Sequence, residues 1–149
     1  MIASLMFKRK VRSGFKMFER GDVAGMMASW ADDIVFESLS AQGAAVGVEG
    51  KKAAEELIRK WFEEWPKLKL TLKNICIREV FPLLAAVTGT SVIMAEMSVT
   101  QTHKTGKEFK YDTVEVYHVR KGKVIRITDY FSTLGLAEVE AARKLGGKT

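Results

Sequence analysis

Apolar and polar residues alternate through most of the second half of the chain. Residues 108–120 and 123–133 read as two antiparallel strands, and Lys121-Gly122 between them predicts a two-residue hairpin turn with glycine where positive φ is needed. On the second strand Ile125, Ile127, Asp129 and Phe131 share one face, while Arg126, Thr128 and Tyr130 share the other. One carboxylate therefore stands inside an apolar row. Residues 68–80 and 91–103 predict two further long strands, with Phe81-Pro82 and Thr88-Gly89-Thr90 interrupting the region between them. Thr105-Gly106 turns the chain into the hairpin.

The first half has helical spacing instead. Phe7, Val11, Phe15 and Phe18 define one face of a helix over residues 3–20, which Gly21 ends. Asp22 is placed to cap a short second helix that runs through Trp30. Ala31-Asp32-Asp33 predicts a turn, residues 34–39 a short strand, and 40–50 a loop of small residues with a brief strand near Val46. Gly50 opens a third helix, whose apolar face carries Leu57, Ile58, Trp61, Phe62 and Trp65 and which Pro66 stops. Residues 136–145 predict a C-terminal helical segment. Helices followed by long antiparallel strands imply an α+β fold: a cone-shaped curved antiparallel (mixed) sheet with N-terminal helices enclosing a pocket. Such a pocket takes a small, mostly apolar molecule.

Composition narrows the class further. The 149 residues, 47% hydrophobic, suit one domain spanning 1–149 with a sizeable core. No apolar run reaches the roughly 20 residues that span a bilayer, and the first charges follow the apolar start rather than precede it, unlike a signal peptide. The single cysteine, Cys76, suits a reducing, cytoplasmic setting and reads as a core thiol. No set of His and Cys has zinc spacing, and no glycine-rich phosphate loop is present, so neither metal nor cofactor is expected. The net charge of +6 is scattered among acidic residues, which favours a solvated surface over nucleic acid or membrane as partner.

Strand parity converts the lone carboxylate into a constellation. If Asp129 faces the pocket, Glu115 and Tyr117 should face inward on the neighbouring strand, and Glu96 and Ser98 on the one before. Trp30, Phe18, Phe36 and Trp61 would line the same space. Carboxylates crowded in a site shielded from water cannot all ionise, so at least one pKa should rise, giving an acid beside a base. Asp129 is then the expected base, Glu115 or Glu96 its acid partner, and Tyr117 a polar orienter. The plainer alternative is an aspartate bonded to backbone amides and glutamates that face solvent, since one bulge inverts parity. Asp112, His103 and His118 have outward parity. Ile93, Met97, Val99, Val114 and Val116 form an expected apolar outer row, which a homodimer through the sheet would cover.

Several motifs are similar to the nuclear-transport-factor-2-like superfamily: Gly21-Asp22, Trp30-Ala31-Asp32-Asp33 with Phe36-Glu37, and Gly47 and Gly50 ahead of a helix. Thr105-Gly106-Lys107, Asp112, Val116-Tyr117-His118-Val119, Gly122-Lys123-Val124 and Asp129-Tyr130-Phe131 resemble its SnoaL-like branch, with ketosteroid-isomerase-like and limonene-epoxide-hydrolase-like proteins. The resemblance covers roughly residues 10–136 and implies the cone fold, a hydrophobic ligand and frequent homodimers. Ketosteroid isomerases carry their base where this chain has Ser38, and an oxyanion tyrosine where it has Gly14-Phe15; Glu115 matches their second oxyanion donor. Limonene-type epoxide hydrolases match at Asp129, but their arginine and second aspartate correspond to Glu96 and Ser98. Polyketide cyclases of the SnoaL type place an acid–base carboxylate near Asp129. The resemblance thus implies isomerase, cyclase or hydrolase chemistry on a small hydrophobic ligand. The alternative is a non-catalytic ligand-binding or protein-interaction domain that has lost the subfamily catalytic residues.

Overall fold

The computed structural model describes residues 2–39, 45–79 and 89–131. Its helices are α1 (Ile2–Glu19), α2 (Val23–Ser29) and α3 (Lys51–Glu64). Its strands are β1 (Trp30–Leu39), β2 (Ala45–Glu49), β3 (Lys67–Glu79), β4 (Thr90–Thr102), β5 (Glu108–Arg120) and β6 (Lys123–Phe131). The strands form one six-stranded sheet in the order β2-β1-β6-β5-β4-β3. Every pairing is antiparallel except that of β1 with β6, so the curved sheet is mixed and the architecture α+β.

Local chemistry sets the element ends. Gly21 takes φ 65° after α1, and the Asp22 carboxylate accepts the Gly25 N–H at 2.9 Å to cap α2. Gly50, at φ 87°, leads into α3. In the β5–β6 turn both Lys121 (φ 49°) and Gly122 (φ 75°) are left-handed, the geometry whose twist matches the flanking strands.

The helices pack on one face of the sheet. Val23, Met26, Met27, Trp30, Ile34, Ala54, Ile58 and Ile127 form the largest buried cluster, where α2 and α3 meet β1 and β6. A second cluster, Ala95, Met97 and Val99, lies on β4 with Phe15 of α1 and Tyr111 and Tyr117 of β5 against it. Trp65 and Phe109 form a third at the end of α3.

Five expectations are corrected, most of them by backbone register. Ala31-Asp32-Asp33 is extended rather than a turn. The β1–β6 pairing shifts between Trp30 and Val35, and the irregular stretch leaves Asp32 and Asp33 exposed to Lys51 and Arg120. Cys76 is exposed, because the β3–β4 register shifts between Leu72 and Asn74 and sets Cys76 opposite Met94 on the outer face. His103 is buried, 6% exposed, with its ring edge-on to Trp65. Ile93, Met97 and Val99 are buried on the helix side; the outward residues of β4 are Val92, Met94, Glu96, Ser98 and Thr100. In β6, a shift beyond Ile127 places Val124 rather than Ile125 against the core. The proposed breaks at Phe81-Pro82 and Thr88, and the helix over 136–145, lie outside the described residues.

Candidate acid–base site

The middle of the sheet brings two carboxylates together on its helix-facing side. Glu115 of β5 pairs with Asp129 of β6, Ala95 of β4 pairs with Glu115, and Ser38 of β1 pairs with Asp129. Cross-strand partners share a face, so these four side chains form one row. Ala95 is fully buried, and its methyl leaves the room that a longer side chain would take from Glu115.

Asp129 is 7% exposed and keeps one strong partner: Thr113 Oγ1 donates to its Oδ1 at 2.5 Å. The same hydroxyl lies 3.0 Å from the Tyr130 carbonyl oxygen, which holds Thr113 against β6. The Tyr117 hydroxyl donates to Glu115 Oε2. Tyr111, next in the same row of β5, donates its hydroxyl to Gln101 Oε1 at 3.1 Å. Three hydroxyl residues of one strand face thus surround the pair.

Burial governs the ionisation. It pushes the Asp129 carboxyl up to about 6, against the pull of the Thr113 hydrogen bond. Glu115 is raised well above the ordinary carboxylate range, first by burial and then by the Asp129 charge. Burial, and then the charges of Asp129 and Glu115, also raise the Tyr111 phenol, so it stays a hydrogen-bond donor. Burial thus favours the neutral form of both carboxyls, and the charge of Asp129 further disfavours ionisation of Glu115.

Of the residues singled out from sequence, Asp129, Glu115, Tyr117 and Ser38 lie on this face. Glu96 and Ser98 do not. Both point to the outer face, where Glu96 accepts from Asn74 Nδ2 at 2.6 Å and Ser98 donates to Asp112 Oδ1 at 2.5 Å. The connection through residues 103–107 opposes Thr102 to Glu108, which sets Ala95, not Glu96, across from Glu115. The aromatics spread through the core: Trp30 stacks on Phe36 at 6.5 Å, and Phe18 stacks on Trp61 at 5.5 Å. Thr113 and Tyr111 were legible through parity alone, at two-residue steps before Glu115, and their roles emerge only with the Asp129 contact. Among the described residues no cluster of three or more His, Cys, Asp or Glu could hold a metal ion.

Residues 11–127 match the SnoaL-like domain. The chain belongs to that family. Solved structures share its fold at low identity. One is a nuclear-transport-factor-2-like protein of unknown function from Burkholderia pseudomallei, 17% identical with a TM-score of 0.68 over 88% of this chain and 94% of that one. Another is an epoxide hydrolase of Mycobacterium tuberculosis, of the limonene-epoxide-hydrolase-like kind, 15% identical with a TM-score of 0.66 over 87% and 85%. A candidate scytalone dehydratase from Novosphingobium aromaticivorans is 14% identical, with a TM-score of 0.69 over 87% of each chain. No curated protein sequence matches the chain. Among the described residues no helix is long and apolar enough to cross a membrane.

Proposed function

We propose that this SnoaL-like protein catalyses acid–base chemistry, without a cofactor, on a small hydrophobic molecule that carries a carbonyl group. The observation that carries this reading is the opposition of Asp129 and Glu115, both raised by burial and Glu115 also by the Asp129 charge. Asp129, with a pKa of about 6, is ionised at neutral pH and basic enough to take a proton from carbon next to a carbonyl. Glu115, kept neutral, donates a hydrogen bond to the oxygen on which charge develops, the role a buried carboxylic acid fills in an oxyanion hole. The Tyr117 hydroxyl fixes the Glu115 carboxyl by occupying Oε2, which leaves Oε1 to carry the proton. Ser38 contributes a hydroxyl beside Asp129.

Likeness to an epoxide hydrolase and a candidate dehydratase supports an enzyme scaffold. The exposed lone cysteine supports a cytoplasmic setting. A homodimer through the outer sheet face accompanies the reading. Met94 and Tyr130 are each 47% exposed there, and Val114 and Val116 lie between them across the strands. Ser38, standing where the isomerases carry their base, favours a second reading in which the protein binds its ligand without turnover.

Proton exchange distinguishes the two. Small cyclic ketones in deuterated buffer should exchange their α-hydrogens faster with the protein than without it. Asp129→Asn should lower that rate about 10²–10⁴-fold, the usual contribution of a general base. Equal exchange by the parent and the variant sinks the catalytic reading.

A further inference from the structure

The positive charge of this protein is concentrated in one place. α1 and the edge strand β3 carry nine of the 24 Lys and Arg residues and two of the 18 Asp and Glu, a net +7, so the rest of the chain nets −1. These two elements pack against each other and frame a groove of about 410 Å³. Lys8, Arg12 and Lys16 stand along its α1 wall at four-residue spacing, a line of three cations about 12 Å long. Like charges at that spacing weaken a helix. No ion pair offsets them among the described residues, and Lys73 across the groove is itself paired with Asp112 at 2.8 Å. Among the described residues the one carboxylate in the groove, Glu19, accepts the Leu70 N–H at 2.7 Å and so pins α1 to β3.

The floor is apolar. Phe15, Leu70, Leu72 and Ile75 lie beneath the cations. Phe15 also packs edge-on against Tyr117, with ring centroids 6.0 Å apart and planes at 82°, and Tyr117 holds Glu115. Phe15 and then Tyr117 therefore stand between the groove and Glu115. An apolar floor under an unpaired row of cations is complementary to one kind of small molecule: an apolar body with an anionic head.

We infer that the groove between α1 and β3 binds a small anionic amphiphile, its carboxylate or phosphate head on Lys8, Arg12 and Lys16 and its apolar body on Phe15 and the β3 leucines. That this amphiphile is the substrate rests on the proposed acid–base function; the binding itself does not. If it is the substrate, the reacting carbonyl lies on the apolar body, reaches Glu115 past Phe15 and Tyr117, and the anionic head sets the orientation.

Calorimetric titration of the full chain tests this with laurate, dodecyl phosphate and dodecyltrimethylammonium, each below its micelle concentration and at low and high salt. Both anions should bind at least about tenfold more tightly than the cation, the equivalent of one charge-assisted hydrogen bond, and should weaken as salt rises. Lys8→Gln combined with Arg12→Gln should cost about tenfold or more in anion affinity, with an unchanged circular dichroism spectrum. Glu115→Gln should leave anion binding intact. Tighter binding of laurate than of dodecyl phosphate would assign the head as a carboxylate, and the reverse as a phosphate. Equal binding of anion and cation, or anion binding indifferent to the double variant, overturns the inference. Anion binding that persists while ketone exchange is absent overturns only the catalytic reading and leaves the groove assignment standing.

Discussion

Glu115 on β5 stands directly across from Asp129 on β6, and among the described residues no lysine or arginine forms an ion pair with either carboxylate. A structural ion pair would lower these pKa values. Here burial raises both, and the hydroxyl groups of Thr113 and Tyr117 hydrogen-bond to the pair. Such an arrangement costs stability at neutral pH, which is characteristic of sites kept for chemistry.

That cost has a defined pH signature. Folded Asp129 holds its proton up to about pH 6, whereas the unfolded chain releases it near 3.8. Between those values the folded state binds more protons, so stability falls as pH rises through the window and the loss is complete above it. Glu115, raised by burial and by the Asp129 charge, contributes in the same direction. From Asp129 alone the effect is on the order of 3 kcal/mol. Asp129→Asn is neutral throughout, so its melting temperature relative to the parent should climb between pH 4 and pH 7. A difference that does not vary with pH would mean that Asp129 titrates as an ordinary carboxylate.

Thr113 is the group that holds the Asp129 pKa down. Thr113→Val keeps the shape and removes the donor at 2.5 Å. The Asp129 pKa should rise above about 6, and the fold should lose about 1 kcal/mol in urea denaturation. An unchanged carboxyl titration would show that the hydroxyl serves only the Tyr130 carbonyl.

Strands β3 to β6 were legible in the sequence to within a residue or two, because long alternating strands and the Lys121-Gly122 turn carry strong local signals, whereas β1 starts at Trp30, four residues before the expected strand. Asp129, Glu115 and Tyr117 were named with them, but the tight turn alone would oppose Glu115 to Thr128; the register shift between Val119 and His118 is what sets Glu115 across from Asp129. Glu96 and Ser98 were misplaced for a reason in the backbone. A two-residue turn at Thr105-Gly106 would oppose Lys104 to Lys107 and hence Glu96 to Glu115. The longer connection through residues 103–107 slips the register by one and turns every β4 side chain over. His103 and Cys76 follow the same logic, the first at that connection and the second beyond the bulge in β3. Neither bulge nor connection length is marked by a residue type that alternation alone can read.

The corrected register also redraws the outer face, and with it the dimer prediction. Met94, Val116, Val114 and Tyr130 are cross-strand or diagonal neighbours there. Met94→Lys should shift a dimer to monomer in sedimentation at micromolar concentration while leaving the melting temperature of the monomer close to that of the parent. Identical sedimentation of both proteins as dimers would place the interface elsewhere.

The most direct test of the paired-carboxylate account is a carbon-detected NMR titration of Asp129 and Glu115 from pH 3 to 10, in the parent and in Asp129→Asn. The account predicts an Asp129 midpoint of about 6, a Glu115 midpoint well above the ordinary carboxylate range, and a downward move of Glu115 when the Asp129 charge is removed. Two midpoints near 4, with Glu115 unmoved by the substitution, would contradict it.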